Sequence, residues 1–496
     1  MVAESPEPQQ SRPPRAEILV ASNRGPVSHT LRDDGSLAVR RGGGGLVSGL
    51  SALGPGAGTW VCAALNEADR QAARRRPGGL LDPADTAGQT VRMLDIPAET
   101  FEAAYNGVAN SALWFVHHLL YQTPLEPAFD TEFEKQWAHY EEYNAAFARA
   151  LAEEAAPGAR VLVQDYHLAL VPGLLRELRP DLRIGHFSHT PWAPPDFFRM
   201  LPGHAARAVL RGILGADRAA FLTRRWARSF ADCCAEVLGA EVSGDAIVLE
   251  GRRVSTGVHG LGADAGFLRE RAAREDVDER LAALREQIGT APDGTPRRTV
   301  VRVDRTELSK NIVRGLLAYR RLLADHPEWH RRVVHVAFAY PSRQDLEVYR
   351  SYTAEVSRVA GAVNAEFGTA GWTPVVLHVK DDFARSLAAY RLADVALVNP
   401  IRDGMNLVAK EVPVVSESGC ALVLSREAGA CAELGEDALV VNPYDITDTA
   451  RALHDGLTMP PEERAARSER LAAAATALPP RQWFLDQLTA LDSGPS

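Results

Sequence analysis

The sequence predicts two α/β domains of similar size, each a parallel sheet covered by helices on both faces, with the sheets facing one another across a cleft. Three observations carry this. Short β-branched runs alternate with helix-length amphipathic stretches along almost the whole chain. At 496 residues the chain exceeds a single domain, which usually takes ~100–200 residues. A glycine-containing break at Val258–Gly262 falls near the middle, and the same alternation resumes beyond it.

Taken in order, residues 1–15 are polar and proline-rich with no apolar signal core, and predict a disordered tail. The first domain, 16–260, holds the strand-like runs Ala16–Ser22, Thr59–Ala63, Arg160–Gln164, Leu182–Ser188, Arg218–Leu222 and Arg252–Val258, with a helix over Thr131–Ala155. The second, 261–460, opens with a charged helix over Ala265–Gly289. Its strands are Thr299–Val303, Arg332–Phe338, Pro374–Val379, Ala393–Asn399, Ala421–Ser425 and Ala438–Asn442, with a helix over Ile312–Ala324. The segment 461–496 reads as helical, with Trp483 and Phe484 packing back on the first domain. Ligands of such sheets bind beyond the carboxyl ends of the strands, which puts the site in the cleft.

Composition narrows the function. Lys and Arg number 55 against 64 Asp and Glu, net −9, with no basic concentration, which argues against nucleic acid as a partner. No apolar run approaches the ~20 residues of a membrane span. Five cysteines fit neither a disulfide framework nor zinc spacing. A soluble cytoplasmic enzyme is the expected class, and a homo-oligomer is compatible with the sequence. Only four basic residues are lysine (Lys135, Lys310, Lys380 and Lys410), so a lysine suggests a site that needs a compact ammonium.

Four segments carry candidate chemistry. In Ala393–Glu411 a strand ends at Asn399, a loop holds Arg402–Asp403–Gly404, and a helix starts near Asn406. A helix N-terminus suits phosphate, Asp403 can accept from hydroxyls, and Glu411 can hold a vicinal diol. A purely structural strand–loop–helix would read the same way. In Val300–Lys310 the strand delivers Arg305 and then Lys310, two cations that could neutralise a diphosphate leaving group. Asp165 and His189 lie just past strand ends, though a lone histidine there is more often structural. Ser22–Pro26 follows the first strand, and the glycines of Arg41–Leu46 make either a hinge or a loop over a phosphate. Asp276–Val277–Asp278 imitates a metal-binding D-x-D but sits in the charged helix. G-x-x-x-x-G-K-[ST], H-E-x-x-H and G-x-S-x-G are missing from the sequence, so metal, protease and esterase readings lose support.

Together the motifs resemble the trehalose-6-phosphate synthase family, retaining glycosyltransferases of the GT-B fold (family GT20), from about Ile18 to about Leu488. They are Ser22–Arg24, Arg40–Leu46, Tyr105–Asn106, Leu113–Trp114, Asp165–Leu168, His189–Trp192, Arg305 with Lys310, Pro341–Arg343, Arg402–Glu411 and Val441–Asp445. The resemblance implies two Rossmann-like domains, 16–260 binding the acceptor and 261–460 the nucleotide-sugar. It implies transfer of glucose from a nucleotide-glucose to glucose 6-phosphate with retention, without metal or cofactor. Arg24, Tyr105 and Arg343 would hold the acceptor phosphate, with Trp114 and Asp165 along its sugar. Gly44 and Gly45 would close over the donor diphosphate, and Arg305 and Lys310 would carry the leaving-group charge. Asp403, Gly404, Met405, Asn406, Leu407 and Val408 would contact the transferred glucose and diphosphate. Glu411 would grip the ribose, and His189 would touch the donor glucose.

Three departures stand out. The family's R-L-D-Y-x-K-G becomes Arg305–Thr–Glu–Leu–Ser–Lys310–Asn311, losing its glycine, and H-D-Y-H becomes Gln164–His167. Where relatives place a histidine–phenylalanine pair beside uracil, this chain reads Val379–Lys380–Asp381–Asp382 before Phe383. Guanine presents two adjacent donors on one edge and an aspartate accepts both, so Asp381 and Asp382 tilt the expectation slightly towards GDP-glucose over UDP-glucose. Other phosphorylated acceptors, C–N bond formation by a pseudo-glycosyltransferase, and a catalytically silent sugar-phosphate-binding module are the competing readings. The intact charges at Arg305, Lys310, Asp403 and Glu411 weigh against silence.

Overall fold

The computed structural model describes residues 15–42, 56 and 58–492. The first half builds a nine-stranded sheet and the second a six-stranded one. The first-half strands are β1 (Ala16–Ala21), β2 (Val27–Leu31), β3 (Leu37–Arg41), β4 (Thr59–Ala63), β5 (Thr90–Leu94), β6 (Ala155–Gln164), β7 (Arg183–Ser188), β8 (Arg218–Phe221), β9 (Glu241–Ser243), β10 (Ala246–Leu249) and β11 (Arg252–Val258). The second half adds β12 (Arg298–Arg305), β13 (Val333–Tyr340), β14 (Val375–His378), β15 (Val395–Val398), β16 (Ala421–Ser425) and β17 (Leu439–Val441). The sheet orders are β5-β4-β1-β6-β7-β8-β11-β10-β9 and β14-β13-β12-β15-β16-β17; β2 and β3 form a separate antiparallel pair.

These orders place the site. In the first sheet the chain runs outward from β1 through β4 to β5, then returns to β6 on the other side and continues through β7, β8 and β11. The order therefore reverses between β1 and β6, and the loops leaving them diverge to open a crevice. The second sheet reverses between β12 and β15 in the same way. Ser22–Arg24 and Asp165 follow the first pair of strands, and Arg305–Lys310 and Asp403 follow the second. One residue or more from each of the four segments singled out by sequence sits at these reversal points, whereas His189 follows β7, one strand further along, and residues 43–46 lie outside the described residues.

Both sheets are parallel except at one edge. The short strand β10 pairs antiparallel with both β9 and β11, a departure from the all-parallel expectation that a tight Gly244 turn (φ 57°) permits. Central strands are buried on both faces; every residue of β4 and of β13 is buried. Each fully buried Val, Leu or Phe contributes about 1.5–3 kcal/mol relative to exposure, which explains why these runs read as continuous apolar stretches rather than as alternation.

The single charged helix expected over Ala265–Gly289 is two, Ala265–Ala272 and Glu275–Ile288. Arg274 is extended (φ −82°, ψ 150°) between them, and an Arg271–Asp276 ion pair at 2.6 Å bridges the break. Asp276 is thus spent on a surface pair, as is Asp278 with Arg391 at 2.6 Å. The C-terminal segment also divides. Pro461–Thr476 packs on the helix Leu407–Val415 of the second half, and Pro480–Asp492 crosses to the first sheet beside β6 and β7. There Trp483 sets its ring edge-on to Phe187 at 4.9 Å. Gly262 permits the crossing: its N–H donates to the Leu478 carbonyl at 2.8 Å, and a Cβ would stand 2.4 Å from that oxygen.

Candidate active site

A cavity of about 660 Å³ lies between the halves, lined by Ser22–Arg24, Tyr105 and Asn106, Asn110, Trp114, Gln164–His167 and His189 from the first, and by Arg305, Pro341–Arg343 and Asp345 from the second. Of the sequence-derived candidates it gathers Arg24, Tyr105, Trp114, Asp165, His189, Arg305 and Arg343.

Three cations face it. Arg24, exposed after β1, donates to the Tyr105 hydroxyl at 3.4 Å. Tyr105 stacks on Phe101 at 5.2 Å and on His167 at 5.5 Å. Burial works to raise the Tyr105 pKa, but Arg24 and Arg343 together bring it below the ordinary phenol value. Arg343 lies 4.0 Å over the Trp114 indole and donates to Tyr349 at 2.8 Å and to Glu307 at 2.9 Å. Burial opposes its charge, yet Tyr166, Glu307 and Tyr349 hold its pKa above the usual guanidinium value. Arg305 remains exposed at the rim.

Asp165 and His189 form one unit. The His189 N–H donates to Asp165 Oδ1 at 3.1 Å, while its ring Nε2 meets Gln164 Oε1 at 2.9 Å. Burial pushes the Asp165 carboxyl up to about 6, against the N–H groups of Tyr166, His189 and Thr190, which favour the anion. Burial also brings His189 down to about 3, with His186 alongside adding to the effect. A neutral ring donating from Nε2 to an amide oxygen leaves Nδ1 as an acceptor. Phe187 and Trp483 flank that ring at 4.8 and 5.6 Å, so the C-terminal crossing braces the site.

On the other side the Lys310 ammonium donates to Asp403 Oδ2, which also accepts from Asn406 Nδ2 at 3.1 Å. Buried Arg302 supports the turn from below, donating to Asp304 and, at 2.8 Å, to the Lys310 carbonyl. Asn311, standing where the family pattern has glycine, takes the left-handed conformation (φ 59°, ψ 38°) that asparagine tolerates. Asn406 caps the helix Leu407–Val415, its side chain accepting from Ala409 N–H at 3.1 Å. The earlier N–H groups, at Leu407 and Val408, have no partner within the helix and suit an anion. Glu411 lies one turn further, its carboxylate accepting from Tyr390 at 3.4 Å and its pKa raised by burial. Buried Met405 anchors the loop through its carbonyl, which accepts from Ala430 at 2.8 Å.

At Gly404 the backbones of the two halves approach closely. A Cβ there would stand 1.9 Å from the His189 carbonyl oxygen, and Trp226 Nε1 donates to the Gly404 carbonyl at 3.0 Å. Arg402 beside it donates to the Trp192 carbonyl at 3.0 Å and lies 4.5 Å over the Trp226 ring. Asp165, Arg343 and Asn406 all hold positive φ (70°, 47° and 73°). Such conformations cost about 1–3 kcal/mol each and cluster at functional sites.

Some candidates are placed elsewhere. Gly44 and Gly45 lie outside the described residues. Asp381 is exposed. Asp382 caps the helix Phe383–Leu392 by accepting from Arg385 N–H at 3.0 Å, and is paired with Arg280 at 2.8 Å. Its carboxylate is therefore not free for a guanine edge, and the expectation of GDP-glucose loses half its footing. Lys410 is fully buried on the Leu261 carbonyl (2.8 Å) and Glu433 (2.7 Å), so its role is to hold the crossover. His326, Glu328 and His454 have metal-ligand spacing, and none of them lines the cavity.

Sequence reasoning missed Glu307 and Asn110, and it named Trp483 only as packing back on the first domain, not as a neighbour of His189. Asn110, like Tyr105, lies on the π-helical segment Ala103–Leu113, whose wide turns carry no 3.6-residue periodicity. An acid two residues past a strand-end arginine was the available signal for Glu307.

Two facing α/β sheets that reverse order at a shared cleft, with cations from both sides, define a GT-B glycosyltransferase. Residues 16–493 match the sequence profile of glycosyltransferase family 20, and the chain belongs to that family. It is 33% identical to a bifunctional trehalose-6-phosphate synthase/phosphatase of Thermoproteus tenax over 97% of this chain, spanning 64% of that protein's length. It is 33% identical to the UDP-forming alpha,alpha-trehalose-phosphate synthase of Schizosaccharomyces pombe over 92% of this chain and 86% of the relative. Solved structures agree. A UDP-forming synthase of Burkholderia vietnamiensis superposes with a TM-score of 0.81 at 30% identity, covering 96% of this chain and 99% of that one. The E. coli trehalose-6-phosphate protein bound with UDP-2-fluoro glucose gives 0.82 at 27% identity, covering 96% and 98%. Among the described residues no helix is long and apolar enough to cross a membrane.

Proposed function

We propose that this chain is an α,α-trehalose-6-phosphate synthase that transfers glucose, with retention, from UDP-glucose to the anomeric hydroxyl of glucose 6-phosphate. The observation that carries the reading is the cavity joining Arg24 and Arg343, suited to a phosphate, with the Trp114 ring and the Asp165 carboxylate, and with Arg305 across from them. The relatives named UDP-forming support the choice of base, as does the engagement of Asp382 with Arg280.

In this reading residues 16–260 hold the acceptor and 261–460 the donor. Arg24, Tyr105 and Arg343 bind the acceptor phosphate, and Asp165 orients its hydroxyls. His189 and Asp403 meet the transferred glucose, and Glu411 accepts from the ribose hydroxyls. Arg305, Lys310 and the N–H groups opening the helix at Leu407 stabilise charge on the departing diphosphate. Fixed donors aimed at developing charge are the largest single source of rate enhancement in such sites. The donor C1–O bond breaks, the acceptor hydroxyl oxygen bonds to C1 on the same face, and the acceptor proton passes to the departing phosphate oxygen.

The test is nucleotide release from UDP-glucose and from GDP-glucose, with and without glucose 6-phosphate, followed by product analysis. Acceptor-dependent UDP release with a non-reducing disaccharide phosphate is expected. Faster release from GDP-glucose would overturn the choice of base, and release dependent on a different phosphorylated acceptor would overturn the substrate.

A further inference from the structure

Glu307 touches no substrate in the reading above, yet its side chain is fully buried beneath the cavity wall. Oε1 accepts from the Ser342 hydroxyl at 2.7 Å and lies 3.7 Å from Arg305 Nη1; Oε2 accepts from Arg343 Nη1 at 2.9 Å. Its main chain is equally engaged. The Glu307 N–H donates to the Arg305 carbonyl at 2.7 Å, and the Glu307 carbonyl accepts from Lys310 N–H at 3.0 Å. One residue thus joins the turn after β12, which carries Arg305 and Lys310, to the turn after β13, which carries Arg343.

The geometry at Arg343 shows what this junction does. Nη1 is used twice, by Glu307 at 2.9 Å and by the Tyr349 hydroxyl at 2.8 Å. Nη2 has only a long 3.5 Å contact with the Tyr166 hydroxyl among the described residues. The indole of Trp114 covers one face of the guanidinium at 4.0 Å. The fork is therefore held by one nitrogen and one face, and the remaining edge is presented to the cavity. A guanidinium binds phosphate best when its fork is fixed before the ligand arrives, because less side-chain entropy is then lost.

We infer that Glu307 is a positioning residue for the phosphorylated acceptor, holding Nη1 of Arg343 so that the Nη2 edge faces the phosphate. The inference rests on the assignment of Arg343 to the acceptor phosphate. It also gives a use to the glutamate that stands where the family pattern has aspartate.

The test is glucose 6-phosphate binding, by calorimetry on the full chain, together with steady-state kinetics. Losing a charge-assisted bond at a fixed guanidinium weakens binding on the order of 10-fold. Glu307→Gln should raise both Kd and KM for glucose 6-phosphate by about that factor, with UDP affinity and saturated kcat nearly unchanged. Glu307→Asp, which keeps the charge, should recover most of the loss, and Ser342→Ala should shift KM the same way by less. If wild type binds glucose 6-phosphate and Glu307→Gln binds it equally well or more tightly, Glu307 does not position Arg343. Parallel losses in UDP affinity, kcat and KM would instead mark a general packing role and overturn the inference. If wild type itself does not bind glucose 6-phosphate, the acceptor assignment fails and the inference goes with it.

Discussion

The Lys310 ammonium donates to the Asp403 carboxylate, and the two residues follow neighbouring strands, β12 and β15, at the point where the second sheet reverses its order. In the proposed reading the pair brings the leaving-group cation and a sugar-hydroxyl acceptor to one point. Three of the four lysines stand in different surroundings. Lys310 is largely buried against Asp403, Lys410 is buried on Leu261 and Glu433, and Lys135 is an exposed helix residue near Glu132.

Lys310→Ala should lower kcat by about 10²–10³-fold, the usual cost of removing one fixed donor to developing charge. Lys135→Ala should leave kcat unchanged. Lys410→Ala should instead lower Tm, because the crossover at Leu261 loses its anchor and Glu433 its partner. Steady-state kinetics and thermal melts on the three variants check this. Equal small changes in kcat for Lys310→Ala and Lys135→Ala would contradict the leaving-group role.

Gly404→Ala should abolish activity while Gly361→Ala should not. The added methyl at Gly404 would meet the His189 carbonyl at 1.9 Å, a backbone atom that can yield only if the halves separate, whereas nothing lies within 4 Å at Gly361. Overpacking of this kind costs about 1–3 kcal/mol, and Ala in place of a helical Gly gains about 0.5–1 kcal/mol. Gly361→Ala should therefore melt slightly higher than wild type, and Gly404→Ala lower.

The acid limb of kcat/KM for the acceptor should have its midpoint near pH 6, set by Asp165 and not by a histidine. The Asp165 carboxyl is raised to about 6 by burial, whereas His167 and His189 are lowered to about 3 and stay neutral throughout. The corresponding stability effect has a definite sign. A carboxyl whose folded pKa is raised stabilises the fold when protonated, so its contribution is present below the ordinary Asp value near 4 and is lost as pH rises to about 6. Asp165→Asn should remove the limb, and its Tm relative to wild type should improve between pH 4 and pH 7. A limb unmoved in Asp165→Asn would contradict the assignment.

Asp382→Ala should cost about 1 kcal/mol of stability through the lost helix cap and leave the UDP-to-GDP preference unchanged. Asp381→Ala should likewise leave it unchanged, since its side chain projects into solvent. Donor competition assays on both variants decide the point. A switch in base preference in either one would restore a base-reading role for that aspartate.

Much of the architecture was legible in the sequence because parallel strands buried on both faces leave continuous apolar runs, and their carboxyl ends announce themselves by sudden polarity. Asp165, Arg305 and Asp403 were found that way. Tyr105 and Arg343 were not: one lies on a π-helical segment without helical periodicity, the other in a left-handed turn, and only the family resemblance pointed to them. The bracing of His189 by Trp483 joins residues almost three hundred positions apart, beyond the reach of any local pattern. The guanine argument lost half its footing for a related reason. Asp382 looked free in the sequence, but the Arg280 that engages it lies 102 positions away.

The most direct measurement is UDP release from UDP-glucose with and without glucose 6-phosphate, with the product then identified. The cavity joining Arg24, Trp114, Asp165 and Arg343 to Arg305 predicts release that depends on glucose 6-phosphate and yields a non-reducing disaccharide phosphate. UDP release at the same rate without the acceptor, or none with it, would contradict the assignment of that cavity to a phosphorylated sugar.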